Sequence, residues 1–110
     1  MERKPILLRG ARQVGKSSSI RELSKQFEYF VEINFEKFKN PNTLRAIFDK
    51  DLSTKRICEE LFAVFQIPII PGKTLLFFDE VQSCLPAISS LRFFYEEMPN
   101  LKAIGILRRQ

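Results

Sequence analysis

Apolar residues fall in short runs along this chain, and the spacing inside each run changes from segment to segment. Pro5-Ile6-Leu7-Leu8-Arg9 is nearly continuous and stops at Gly10, which predicts a short buried strand. Beyond Gly15 the spacing becomes helical. Ile20, Leu23 and Phe27 share one face, with Arg21, Glu22, Lys25 and Gln26 on the others, so a helix is expected over about residues 15–27. Phe30, Glu32 and Asn34 then alternate with Val31, Ile33 and Phe35. That period predicts a second strand with one more exposed face.

Asn40-Pro41-Asn42 is a turn signal, and Leu44, Ile47 and Phe48 form the inward side of a short helix from Thr43 to Asp49. Ser53 is placed to cap a further helix through Gln66, with Ile57, Leu61, Val64 and Phe65 as its apolar stripe. Pro68 to Gly72 breaks the chain. Thr74-Leu75-Leu76-Phe77-Phe78 follows without a polar interruption after Thr74 and ends in Asp79-Glu80. An unbroken run of this kind belongs to a strand buried on both faces. A helix from Pro86 to Met98 and a last strand from Lys102 to Leu107 complete the pattern, with Leu91 and Phe93-Phe94-Tyr95 read as core. Strands alternating with helices predict an α/β fold: a parallel sheet, right-handed crossovers, and helices on both faces, three layers in all.

Composition narrows the functional classes. At 110 residues the chain has the length of one small domain, read here as 1–110. No apolar run approaches the roughly 20 residues of a membrane span, and MERKPILLRG is too short in its apolar part for a secretory signal. A cytoplasmic location is expected, with Cys58 and Cys84 as reduced thiols. The absence of His removes a Ser/His/Asp triad. The net charge of +5 is concentrated: residues 1–25 hold seven Lys or Arg against two acids, and the remainder is neutral. A positive field there suits a polyphosphate, and a basic nucleic-acid-binding module is the alternative.

The glycine segment favours the polyphosphate and leaves the basic module as the alternative. Gly10-Ala11-Arg12-Gln13-Val14-Gly15-Lys16-Ser17 fits G-x-x-x-x-G-K-[ST] at every defined position, between a strand and a helix. Two glycines allow the backbone to approach phosphate oxygens that a Cβ would keep away. The loop N–H groups and the helix N-terminus then face the anion. The candidate nucleotide contacts are Gly10, Ala11, Arg12, Gln13, Val14, Gly15, Lys16, Ser17 and Ser18. Lys16 neutralises the β- and γ-phosphates, and the Ser17 hydroxyl is a hard oxygen ligand for Mg²⁺. ATP with Mg²⁺ is the expected ligand. Asp79 and Glu80 end a buried strand at the edge where open α/β sheets bind ligands. Asp79 is expected at the metal, and Glu80 on the attacking water, with Lys16 as its catalytic partner.

Together GARQVGKS, YFVEINFE, LLFFDEVQ and AISSLRFFYE resemble the nucleotide-binding core of a prokaryotic family of AAA-type P-loop ATPases. Members of that family are often fused to a restriction-endonuclease-like C-terminal domain. The resemblance implies ATP hydrolysis, a strand order of 1-4-3-2, and the roles given above for Lys16, Ser17, Asp79 and Glu80. It spans Lys4 to about Ala103. Against the family pattern, the last strand lacks a polar sensor and the chain ends at Arg108-Arg109-Gln110, read as tail charges. The expectation is a core truncated after its fourth strand, with impaired hydrolysis, an unpaired edge on the P-loop strand and a tendency to self-associate. A non-functional gene remnant is the other alternative.

Overall fold

The computed structural model describes residues 6–11 and 14–109, with the side chains of 6, 9–11, 14–17 and 109 left aside. Four strands, β1 (Ile6–Ala11), β2 (Tyr29–Asn34), β3 (Thr74–Asp79) and β4 (Lys102–Arg109), alternate with four helices. The helices are α1 (Val14–Ser24), α2 (Pro41–Phe48), α3 (Thr54–Phe65) and α4 (Leu85–Glu97). All strand pairs are parallel, in the order β1-β4-β3-β2. The α/β class and the 1-4-3-2 order are therefore as expected. Among the described residues β1 pairs only with β4, so it forms one edge of the sheet.

Alternation within the central strands sorts the core into two layers. Leu75 and Phe77 of β3 pack with Ile104 and Ile106 of β4 and with Ile20, Leu23 and Phe27. Leu76 and Phe78 point to the opposite face, where Leu44, Ile47 and Phe48 of α2, Ile57 and Leu61 of α3, and Leu91 and Phe94 of α4 meet them. Helix α1 covers one face of the sheet and α2 to α4 cover the other. Phe78 is the hub of the layer beneath α2 to α4. Its ring lies 5.4 Å from Phe35, 5.7 Å from Phe48 and 6.4 Å from Phe94, each in an edge-on arrangement. On β4, Gly105 lets α4 lie close: a Cβ there would sit 2.5 Å from Leu91 Cδ1.

Several expected elements differ in detail; α2, for one, starts at Pro41 and not at Thr43, taking in part of the expected turn. Helix α1 ends at Ser24, three residues early, because Lys25, Gln26 and Phe27 donate to carbonyls only three residues back. The tightened turn still delivers Phe27 to the core layer beneath α1. In α3, Ser53 caps as expected, its side chain accepting from the Arg56 N–H, and Ile57 and Leu61 are fully buried. Val64, however, is 36% exposed. The last turn of α3 is instead fastened by Phe65, whose ring meets Phe38 at 5.8 Å and leaves Val64 on the flank.

Both cysteines are free thiols. Burial, with the Glu59 charge adding, pushes the Cys58 thiol up to about 11 from 9.0. The folded state thus keeps a proton that the unfolded chain releases earlier. The associated stability is complete below the unfolded value and is lost as pH rises through the folded one, a window from 9.0 to about 11. Urea denaturation of wild type and Cys58→Ala at pH 8 and pH 10.5 should show the larger alkaline loss in the wild type. Equal losses would show that Cys58 carries none of it.

Candidate functional site

Strand β3 is buried along its whole length and delivers Asp79 to the C-terminal edge of the sheet. Asp79 shares strand parity with Leu75 and Phe77, so it lies on the α1 face. The chain then turns sharply. Glu80 takes a left-handed conformation, φ 56° and ψ 44°, unusual for a non-glycine residue. Its N–H donates back to Asp79 Oδ1 at 2.9 Å, and a single 3-10 turn follows over Val81–Ser83. Both carboxylates are 5% exposed. Bending the chain there keeps Glu80 at the sheet edge beside Asp79. An ordinary strand continuation would have carried it to the other face.

Two further residues complete the cluster. Gln82 Nε2 donates to Glu80 Oε1 at 2.6 Å, while Gln82 Oε1 accepts from the Arg108 backbone N–H at 3.1 Å. That amide fixes the end of β4 against the turn. Arg108 Nε donates to Asp79 Oδ1 at 2.8 Å and Nη2 to Asp79 Oδ2 at 3.3 Å, a two-pronged pairing. Nε also lies 3.5 Å from Glu80 Oε2. Arg108 is 7% exposed, and its hydrogen bond to Asp79 raises its already high pKa while burial opposes the shift. The expectation of a solvated tail charge is corrected. Strand β4 runs through Arg109, two residues beyond the apolar run, because parallel pairing with β1 continues to Ala11. A polar residue therefore does stand at the edge of this strand, and it is an arginine.

Of the loop, Gly10 and Ala11 close β1, Arg12 and Gln13 lie outside the described residues, and Val14, Gly15, Lys16, Ser17 and Ser18 open α1. The side chains of Lys16 and Ser17 are likewise outside what is described. Strand register sets Gly10 directly beside Arg108. Thus the end of β1, the start of α1 and the Asp79–Glu80–Arg108 cluster share one sheet edge. The first-turn N–H groups of α1 have no intrahelical acceptors and are free in principle for an anion.

The carboxylate pair suits a guanidinium better than a divalent ion as it stands. Each of the four oxygens has a donor or a cation within 3.5 Å. Among the described residues no group of three or more His, Cys, Asp or Glu is arranged to hold a metal.

The family of AAA domains matches residues 2–105, nearly the full chain. The chain belongs to that family. It is a nucleotide-binding domain of AAA type, with the P-loop that the glycine motif implied and the sheet order that the family resemblance implied. Arg108 lies beyond the matched segment of the AAA domain. No curated protein and no solved structure matches the chain. No helix among the described residues is long and apolar enough to cross a membrane.

Sequence reasoning placed Asp79 and Glu80 at this edge but did not anticipate Gln82 and Arg108 beside them. The available signal for Arg108 was its position: a charged residue just past an apolar strand, as Asp79 is on β3. Gln82 carried none, since its role depends on the turn made at Glu80.

Proposed function

We propose that this AAA domain binds ATP at the C-terminal edge of its sheet, with the triphosphate against residues Gly10 to Ser18. The observation that supports it best is the complete G-x-x-x-x-G-K-S match between β1 and α1, on the same edge as the buried carboxylates. Lys16 meets the β- and γ-phosphates, and the loop N–H groups hold the remaining oxygens. Glu80, oriented by Gln82 and kept from bulk water, is the residue to polarise an attacking water. Ser17 and Asp79 are the residues whose hard oxygens would hold a Mg²⁺ ion. Asp79 as arranged is committed to Arg108, so binding rests on Lys16 and the loop amides.

Calorimetric titration with ATP and ADP tests the reading. Binding in the micromolar to millimolar range is expected, and Glu80→Gln should retain it within about threefold, since Glu80 acts on water. No binding at millimolar nucleotide, together with salt-sensitive binding of duplex DNA, would replace it by the basic-module alternative.

A further inference from the structure

We propose that Arg108 is the resident cation of the nucleotide site, standing beside Asp79 and Glu80 where a divalent ion would otherwise sit, so that this domain takes metal-free nucleoside triphosphate almost as well as the Mg²⁺ complex. The inference rests on the nucleotide-binding reading above and specifies the ionic form of its ligand.

Three observations carry it. First, the guanidinium contacts both oxygens of Asp79, at 2.8 and 3.3 Å, and comes within 3.5 Å of Glu80. A hard cation would need those same oxygens. Second, all three groups are at most 7% exposed. Bringing Mg²⁺ to Asp79 with Arg108 in place sets two cations together away from water, where their repulsion is poorly screened. Removing Arg108 instead breaks a buried two-pronged ion pair. Either route makes metal entry unfavourable. Third, Arg108 is held by its main chain as well as its side chain. Its N–H donates to Gln82, and parallel register places it beside Gly10, the first residue of the phosphate loop. A positive charge built into β4 therefore borders the phosphate site, and arginine is well suited to phosphate oxygens.

Calorimetry with ATP in excess MgCl₂ and in EDTA, using the full chain, gives the primary test. Wild-type affinities should agree within about threefold, and Mn²⁺ titrated into nucleotide-free wild type should show no binding below about millimolar by electron paramagnetic resonance. Arg108→Gln should bind Mn²⁺ at least about tenfold more tightly and make ATP binding depend on Mg²⁺ by a similar factor. Arg108→Lys, which keeps the charge, should stay close to wild type. A wild-type ATP affinity that rises tenfold or more with Mg²⁺, or micromolar Mn²⁺ binding by the wild type, would overturn the proposal. If ATP binds in neither condition, the nucleotide reading fails, and the Mn²⁺ comparison still decides the place of Arg108. Should Arg108→Gln not fold by circular dichroism, the wild-type measurements decide alone.

Discussion

Lys16→Ala is expected to lower ATP affinity by about 100-fold or more, enough to remove binding from the millimolar range. Lys16 is the third residue of α1, in the turn whose N–H groups face outward from the helix start. An ammonium there is a point charge for oxygens of two phosphates. A hydrogen bond to a charged group contributes about 1.5–3 kcal/mol, and two such bonds to a polyanion account for the expected loss. On the proposed function, with the carboxylates already paired with Arg108, Lys16 would carry a greater share of phosphate neutralisation. Calorimetry of wild type and variant, with melting curves of both nucleotide-free proteins, separates lost binding from lost fold. Equal affinities in the two proteins would remove the phosphate role from Lys16.

Phe78→Ala should cost about 3–5 kcal/mol of stability, the upper part of the range for single core truncations. Phe78 has no exposed surface, and three other rings close around it from β2's end, α2 and α4. Removing it opens a cavity that strands paired on both sides of β3 cannot collapse to fill. Domains of this size are stable by about 5–15 kcal/mol, so the variant would be partly unfolded under mild conditions. Phe78→Leu, which keeps most of the volume, should lose distinctly less. Urea midpoints for the three proteins make the comparison. A Phe78→Ala loss below about 1 kcal/mol would mean that the four rings do not share one packed core.

Much of this architecture was legible because its signals are local. The apolar run at Thr74–Phe78, closed by Asp79, reads as a doubly buried strand without reference to any other segment. The alternation of Phe30 to Phe35 and the Ser53 cap are also short-range signals, and each found its place. The glycine motif is legible for the same reason, since eight consecutive residues contain its chemistry. The pairing of Arg108 with Asp79 was not legible, because the two lie 29 residues apart and meet only through the β3–β4 pairing. The left-handed turn at Glu80 was equally hidden. Nothing in the residue itself favours that backbone, and the surrounding hydrogen bonds impose it.

The second half of α1 is lightly anchored, and that bears on how the molecule breathes. Among its described side chains, 18–24, Ile20 alone is buried, whereas α2 and α3 each bury three side chains and α4 buries four. Local opening follows the less anchored element first. The helix that begins at the phosphate loop is thus the element whose amides should exchange with solvent before those of β3, without melting the opposite layer. A ligand seated at its N-terminus would close that partial unfolding by linkage. The domain can then respond to nucleotide through the protection of one helix while the rest of the sheet keeps its shape.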